Sequence, residues 1–323
     1  MTRKLAFLVT AVVLFAAALP ATAQQTEKVW RIGFLTPAPY VWPTFRKGLS
    51  ELGYVEGKNL TIEFRRRKRG ESYLAHAKEL VALKVDLILA VGLGAARAAK
   101  QATSTIPIVM GNCSVDPVRH GLIDSLARPG GNVTGVVDRL PDLAGKRVEL
   151  LKDIFPNLSR IAHLSAGSTT VGPEHLKATE AAARALGVRV QALTVKRPDD
   201  LESAFREAAE GGAEALIVVG VGFFIPHRKR ILKLAAKHQL PTMHTHTARW
   251  VRLGGLTSYA TDVDVRYRRA ARYVHEIFKG AKPADLPVQQ ATYFQLQVNL
   301  KTAKALGITI PPSVLLRATK VIE

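Results

Sequence analysis

Short apolar runs alternate with segments of helical periodicity along this chain, and this alternation constrains its fold more than any other feature. The runs form two series, residues 31–35, 60–64, 86–91 and 106–110, then residues 133–137, 160–164, 188–195, 214–219 and a short run near Thr242. Consecutive parallel strands need a long crossover, which is usually a helix, so the spacing predicts parallel sheets with helices on both faces. The two series predict an α/β chain of two doubly wound lobes.

The last third of the chain adds a long helix and the segments that connect the lobes. Tyr267, Ala271, Val274 and Phe278 line one face of this helix, whereas the arginines at 266, 268, 269 and 272 fall mostly elsewhere. The loops at 130–131, 257–264 and 280–287 are the expected crossovers. We predict a first lobe of residues 24–136 plus about 259–290, and a second lobe of residues 137–258 plus about 291–323.

Residues 1–23 have the pattern of a secretory signal peptide. Arg3 and Lys4 supply a positive start, residues 5–19 are uncharged and apolar, and residues 21–23 (ATA) form a small-x-small cleavage site. A membrane anchor is the alternative, but this apolar run is shorter than the about 20 residues that a spanning helix needs. We therefore expect cleavage after about Ala23.

The mature protein is expected to be exported, soluble and periplasmic. Removal of 23 residues leaves 300 and lowers the formal net charge from +20 to +18. A composition this basic, taken alone, indicates a protein that binds nucleic acid or an acidic membrane. Export argues against a cellular nucleic-acid partner. A lipid anchor would need a cysteine at the new N-terminus, where Gln24 stands, and the single cysteine is Cys113. A buried, inert thiol is predicted at Cys113.

The sequence contains no recognisable set of catalytic residues, no cofactor-binding motif and no metal-binding motif. Residues 92–94 (GLG) lack the third glycine of a dinucleotide motif, and no G-x-S-x-G, H-E-x-x-H or P-loop motif is present. His244 and His246 have no nearby third ligand, so solvated loop histidines are predicted there. The basic run at residues 65–69 is predicted to be a solvated loop, with contact to anionic lipid as the alternative. We predict a protein that is not an enzyme and uses no cofactor.

Seven segments, in order along nearly all of the mature chain, resemble one family of bacterial proteins. They are residues 45–59 (FRKGLSELGYVEGKN), 116–118 (DPV), 125–135 (SLARPGGNVTG), 254–259 (GGLTSY), 279–287 (KGAKPADLP), 299–307 (NLKTAKALG) and 310–312 (IPP). Together they are similar to the ABC-transporter substrate-binding family described as tryptophan/tyrosine transport proteins. The resemblance implies a type I periplasmic-binding fold, in which two lobes joined by crossover strands close on a small molecule.

The resemblance also implies a function and partners. The expected function is capture of a small molecule, such as an amino acid or a carboxylate, for delivery to the membrane permease of an ABC importer. We expect a monomer that has no nucleic-acid partner and meets the membrane only through the permease. A ligand-sensing periplasmic receptor for a signalling partner is one alternative. An exported α/β enzyme is another, although no nucleophile–base–acid set is legible.

Candidate ligand contacts follow from the position of the predicted strands. In open α/β sheets the ligand lies beyond the carboxyl ends of the strands, and in two-lobed proteins it lies between the facing loops. This rule selects Thr36, Tyr40, Gly92, Leu93, Gly94 and Asp116 in the first lobe, and Ser165, Ser168, Thr169, Gly220, Phe223, His244 and Tyr259 in the second. Free amides at 92–94 could hold a carboxylate, Asp116 could pair with an amino group, and Tyr259 could stack on a ring.

Structural roles compete with these ligand roles. The glycines at 92 and 94 also suit a tight turn, Asp116 a turn or helix cap, and the two tyrosines a core or rim position. Some positions also depart from the family's pattern: Leu93 stands where members often have Thr or Ser, residues 166–170 (AGSTT) replace an Asn-Pro-type loop, residues 220–222 (GVG) replace an Asp-Pro pair, and Arg249 replaces an acid. Because acids are lost and an arginine is gained, an anionic or carboxylate-rich ligand is an alternative to an amino acid.

Overall fold

The computed structural model describes residues 28–37, 41–68, 70–167, 169, 171–220, 222–246 and 249–323. The predicted signal peptide, Tyr40 and Ser168 lie outside these residues. None of the helices in the described part is both long and apolar enough to cross a membrane.

Strands and helices alternate through most of the chain. The strands are β1 (Trp30–Thr36), β2 (Leu60–Arg66), β3 (Leu87–Val91), β4 (Ile108–Asn112), β5 (Val133–Val137), β6 (Arg160–Ala166), β7 (Arg189–Val195), β8 (Ala215–Val218), β9 (Thr242–His244), β10 (Thr257–Thr261), β11 (Gln289–Gln290), β12 (Phe294–Asn299) and β13 (Lys320–Ile322). The helices are α1 (Trp42–Glu51), α2 (Tyr73–Ala82), α3 (Leu93–Ala102), α4 (Ala144–Ile154), α5 (Val171–Ala185), α6 (Asp200–Glu210), α7 (Arg228–Lys237), α8 (Arg249–Arg252), α9 (Val263–Phe278), α10 (Leu300–Ala305) and α11 (Pro312–Leu315). Two 3-10 turns span Leu140–Leu143 and Pro283–Asp285.

The first sheet has the strand order β11-β5-β4-β3-β1-β2, and all of its neighbouring strands run parallel. Every residue of β3, β4 and β5 is buried. This follows from helices on both faces, since α2 and α3 pack against one side of the sheet and α1 and α9 against the other. Continuous apolar runs are typical of strands that are covered on both sides.

The second sheet has the order β13-β12-β10-β9-β8-β6-β7. Its strands run parallel, except that β12 pairs with β10 in the antiparallel direction. Helices α6, α7 and α8 cover one face, and α4, α5, α10 and α11 cover the other. The chain passes between the two sheets after β5, after β10 and after β11. The prediction of two doubly wound α/β lobes joined by crossovers is confirmed.

Some local predictions were wrong. Residues 257–264 were expected to be a loop, but β10 occupies most of this segment and lies inside the second sheet. Its sequence, TSYAT, has no apolar run; instead, the hydroxyl of buried Thr257 donates to the carbonyl of Gln297 at 2.8 Å. The predicted return to the first lobe at about 259 falls inside β10, so that crossing comes after Thr261. The loops at 130–131 and 280–287 were also expected to be crossovers, but they lead into β5 and β11, which both belong to the first sheet, so the chain crosses only after these strands. The other lobe boundaries stay predictions.

Candidate functional site: the cleft between the lobes

The carboxyl ends of the strands in the two sheets face each other across a cleft. The two lobes contact each other at these ends of the strands. Pro37 follows β1 and Gly222 follows β8, and a Cβ atom built on Gly222 would lie 3.3 Å from the Pro37 ring. His120 Nε2, in the loop after β4, lies 2.8 Å from Glu174 Oε1 in the first turn of α5. Val171, at the start of α5, packs against the core of the first lobe. The sequence rule selects this location for a ligand.

The first-lobe wall of the cleft includes the end of β1 and the start of α3. Thr36 is fully buried at the end of β1. Gly92 has a φ of 92°, which favours glycine, and its amide donates to the carbonyl of Asn112 at 2.8 Å, so it is not one of the free amides we expected. The Leu93 side chain packs in the lobe core, so it is not available to a ligand. A Cβ on Gly94 would lie 3.2 Å from the Tyr73 ring.

Asp116 lies in the loop after β4, and its carboxylate is engaged within the protein. Oδ1 accepts hydrogen bonds from the amides of Val118, at 2.9 Å, and Arg119, at 3.4 Å. Oδ2 lies 3.8 Å from Arg139 Nη2. These contacts support the alternative of a turn cap, and a contact with an amino group of a ligand stays a prediction.

The second-lobe wall is formed by the segments after β6 and β8. Ser165 is buried near the end of β6, and the Thr169 hydroxyl donates to the carbonyl of Ala166 at 3.1 Å. The Gly220 amide donates to Thr245 Oγ1 at 2.8 Å, and a Cβ on Gly220 would overlap the side chain of His246. Glycine is therefore required at 220 by a close approach, which the sequence alone did not reveal.

Two predicted aromatic contacts differ in their surroundings. Phe223 lies in the loop after β8, packed edge-on against Phe224 at 5.3 Å between ring centroids. Tyr259 lies within β10, with its ring 5.9 Å from that of Phe294. It lines a surface depression of about 400 Å³ together with Lys146, Arg317 and Phe294, the residue that pairs with Thr261 at the end of β10. Ligand contact by these two rings stays a prediction.

The prediction of solvated loop histidines at 244 and 246 was wrong. The His244 ring stacks on Trp250 with 4.6 Å between centroids, and its Nε2 lies 2.9 Å from Thr242 Oγ1. Burial lowers the pKa of His244 to about 3. Burial, followed by the nearby charges of Arg266 and Arg147, lowers the pKa of His246 to about 3 as well. His244 is the last residue of the central strand β9 and His246 lies two residues beyond it; both residues are buried, and both rings are neutral at pH 7.

A buried ion pair that the sequence did not indicate joins the segment after β5 to helix α9. Arg266 Nη1 lies 2.6 Å from Asp138 Oδ2, and their side chains are 2% and 1% exposed. The same nitrogen donates to Thr261 Oγ1 at 2.9 Å. Arg266 was expected to lie mostly off the apolar face of its helix, but it is on the buried face with Ala270 and Val274. The i, i+4, i+8 spacing of these three residues was the available signal.

Arg147 is a second buried arginine, and it connects the segment after β5 to strand β10. Its Nε donates to the carbonyl of Tyr259 at 2.9 Å, and its Nη1 donates to the carbonyl of Leu140 at 3.0 Å. Nη1 also donates to His175 Nε2 at 2.9 Å, so the neutral His175 ring carries its proton on Nδ1. His175 Nδ1 then donates to His163 Nε2, at 2.9 Å. Burial lowers the pKa of Arg147 to about 9, so the guanidinium is still charged at pH 7.

Two further predictions concern reactive or charged side chains. Cys113 is fully buried, and burial raises the pKa of its thiol to about 12, which confirms an inert cysteine. The basic run is only partly a loop, because Arg65 and Arg66 belong to β2 and Arg65 pairs with Glu79 at 2.6 Å. Over the described ranges, no group of three or more His, Cys, Asp or Glu side chains could hold a metal ion.

Two α/β sheets whose carboxyl ends meet across a cleft, with three crossovers between them, define a two-lobed binding protein of the type I periplasmic class. The model of the family described as "ABC transporter substrate binding protein" matches residues 41–322. The chain belongs to this family, as its resemblance predicted.

Proteins from three named bacteria are similar to this chain. A tyrosine-binding protein of Clostridioides difficile (strain R20291) is 27% identical over 265 residues, which cover 82% of this chain and 75% of that protein. The ABC domain from Streptococcus pneumonia, solved in complex with L-Trp, is 29% identical, with a TM-score of 0.82 over 91% of this chain and 99% of that one. A conserved domain protein from Vibrio cholerae O1 biovar eltor is 28% identical, with a TM-score of 0.83 over 91% of this chain and 100% of that one.

Proposed function

We propose that this protein captures a small molecule between its lobes and delivers it to the membrane permease of an ABC importer. The observation that carries the proposal is the meeting of the lobes at the carboxyl ends of both sheets, at Pro37 with Gly222 and at His120 with Glu174. Capture of this kind needs no covalent chemistry. A ligand that contacts both lobes stabilises the closed arrangement over the open one, in proportion to its difference in affinity for the two.

The proposed ligand contacts come from the segments that follow the strands. On the first lobe these are Thr36, Tyr40, the start of α3 at residues 92–94, and Asp116. On the second lobe they are Ser165, Ser168, Thr169, Gly220, Phe223, His244 and Tyr259. Of this set, His244 and Leu93 would contact the ligand only through backbone atoms, because their side chains pack inside the lobes.

The proposal includes the setting in which the protein works. The mature chain is periplasmic after cleavage near Ala23, is not lipid-anchored, and acts as a monomer. It is not an enzyme, and it has no nucleic-acid partner. Support comes from membership of a substrate-binding family and from the signal-like sequence of residues 1–23.

Ligand-induced stabilisation tests capture. We would measure the melting temperature of the mature protein with amino acids, aromatic acids, aliphatic carboxylates, sugars and nucleosides. A ligand at 100 times its Kd adds about 2.7 kcal/mol to the free energy of unfolding. We expect one chemical class to raise the Tm by several degrees. If none does so, and the protein instead turns over an ester or a nucleotide, the proposed function is wrong.

A pair of variants tests whether closure of the lobes contributes to binding. Glu174→Gln removes the charge that faces His120 across the cleft, so we expect the affinity for the stabilising ligand to fall several-fold. Glu149→Gln is the matched control, because Glu149 is an exposed acid of α4 whose ion pair among the described residues is with Lys146 on the same helix, at 2.8 Å. Equal affinities in the two variants would show that the His120–Glu174 contact does not belong to the ligand-bound state.

A further inference from the structure

One long stretch of the second lobe contains cations and no acid. Residues 215–261 include no Asp or Glu, and their seven basic residues are Arg228, Lys229, Arg230, Lys233, Lys237, Arg249 and Arg252. All seven belong to two helices, α7 and α8. This part of the chain therefore contributes a charge of +7 to the formal +20 of the whole.

The lysines of α7 form one exposed row. Lys229, Lys233 and Lys237 are spaced at i, i+4 and i+8, and all three are exposed. The opposite side of the helix, which includes Ile231 and Leu234, is buried in the core of the lobe. Because four residues advance a helix by about 6 Å, the Cα atoms of the three lysines span about 12 Å along one side of α7.

Helix α8 adds two further cations on the same side of the lobe. Strands β8, β9 and β10 are consecutive neighbours in the sheet, and α7 and α8 are the connections between them. Both helices pack into one core on one face of this sheet, α7 through Leu232 and α8 through Trp250. Leu253, directly after α8, is 41% exposed. We call the outward side of the two helices the α7–α8 face, and its exposed cations are Lys229, Lys233, Lys237, Arg249 and Arg252.

The charges of the α7–α8 face are not neutralised by acids of the protein. Within the part of the chain that the structure describes, none of its five cations forms an ion pair. Arg230 lies outside this face and pairs with Asp199 and Glu202, at 3.8 and 3.5 Å. The basic run at residues 65–69 also differs, because Arg65 pairs with Glu79 at 2.6 Å. The α7–α8 face therefore presents its positive charge to a partner.

We propose that the α7–α8 face docks this protein on the anionic surface of a membrane. Clusters of Lys and Arg on an amphipathic helix are typical of contact with anionic lipid headgroups. Lysine is depleted in protein–protein interfaces, where aromatic residues and arginine are enriched, so the lysine row of α7 favours lipid over an acidic protein. Exposed Leu253, next to Arg252, supplies an apolar side chain at the same face.

Docking of this kind holds the protein near the membrane in which a permease lies. The contact is reversible and depends on salt, because attraction between exposed charges is screened beyond about 8 Å at physiological ionic strength. The proposal goes beyond the proposed function and does not depend on ligand capture. It differs from the expectation, drawn from the family resemblance, that the protein meets the membrane only through the permease.

Vesicle sedimentation tests the chemistry of the partner. The mature protein is mixed with vesicles of phosphatidylcholine alone, or of phosphatidylcholine with phosphatidylglycerol, at low and at high salt. We expect binding to the anionic vesicles that is lost at high salt, and no binding to the neutral ones. Equal binding to both vesicles, or binding to neither, would overturn the proposal. Poly-L-glutamate is the comparison probe, and a protein that binds it but neither vesicle has a surface for an acidic protein instead.

A triple variant tests the surface itself. Lys229→Gln combined with Lys233→Gln and Lys237→Gln removes the row on α7, and glutamine has about the same helix propensity as lysine. We expect this variant to bind the anionic vesicles at least tenfold more weakly, because each cation near an anionic bilayer strengthens binding roughly fivefold. Binding equal to that of the native protein would contradict the assignment.

A matched control separates the α7–α8 face from net charge. Lys47→Gln combined with Lys58→Gln and Lys78→Gln removes the same charge from three exposed lysines of the first lobe. This control should bind the anionic vesicles within about threefold of the native protein, since charges far from the contact are screened. Equal losses in the two triple variants would show that net charge, and not the α7–α8 face, causes the binding.

Discussion

Gly220 is the position at which one added methyl group would disturb the cleft most directly. A Cβ there would overlap the side chain of buried His246, so Gly220→Ala is expected to destabilise the protein by about 1 to 3 kcal/mol and to weaken ligand binding. Gly145→Ala is the control, since its Cβ would meet only Ala182 at 3.9 Å in a helix that favours alanine. Urea unfolding measures both variants, and equal free energies of unfolding would contradict the crowding at Gly220.

Buried histidines make the stability of this protein depend on pH. Burial lowers the pKa of His163 to about 4 and those of His244 and His246 to about 3, whereas an unfolded histidine has a pKa of about 6.5. Between these values the unfolded chain binds protons that the folded chain does not. The stabilisation is therefore complete above about pH 6.5 and is lost as the pH falls below it.

A single variant separates this effect from the titration of carboxylates. His244→Phe keeps a ring against Trp250 but removes one titrating group. Between pH 6 and about 4, its free energy of unfolding should fall less steeply than that of the native protein, by up to about 1.4 kcal/mol per pH unit. Identical slopes in urea unfolding would mean that His244 is accessible to protons in the folded state.

Residue burial was the least predictable property from the sequence. His244 and His246 were expected to be solvated loop residues, and arginine, the residue type at 147, is almost never fully buried unless it is paired. Their burial depends on partners distant in the chain, such as Trp250 for His244 and the Tyr259 carbonyl for Arg147. Cys113, by contrast, follows a buried strand, and its inert burial was predicted correctly.

Among the elements, the apolar strands were predictable and the polar ones were not. The LILAV run of β3 is buried on both sides of the sheet, and its pattern is unambiguous. Strand β10, TSYAT, is equally central, but it satisfies its polar groups through side-chain hydrogen bonds and antiparallel pairing with β12. Such compensation depends on the tertiary structure, which is why this segment was expected to be a loop.

The ion pair between Asp138 and Arg266 connects two segments that lie at crossovers between the lobes. Asp138 follows β5 and Arg266 lies in α9, so their ion pair holds two of the three crossovers together. Asp138→Ala leaves a buried arginine without its partner and should cost about 3 to 5 kcal/mol in unfolding free energy. Asp138→Leu combined with Arg266→Met should recover most of this loss. A double variant as unstable as Asp138→Ala would show that the arginine itself, and not its unpaired charge, is required.

At the scale of the whole molecule, the two-lobed architecture and the family could be predicted from the sequence. The contacts that the two lobes make across the cleft could not. The two series of strands predicted the sheets, and the segments from residue 45 to residue 312 indicated the family, which the family model confirms. The contacts across the cleft, such as His120 with Glu174, join segments that carry no local signal of each other.

One cleft per chain predicts one ligand per chain, and native mass spectrometry measures this most directly. The mature protein would be sprayed under gentle conditions with each ligand that raises its Tm, and then under denaturing conditions. The account predicts a single mass addition equal to one small molecule, present in the folded protein and absent after unfolding. A folded protein that never carries a small molecule, or one that carries several with no saturating stoichiometry, would contradict capture between the two lobes.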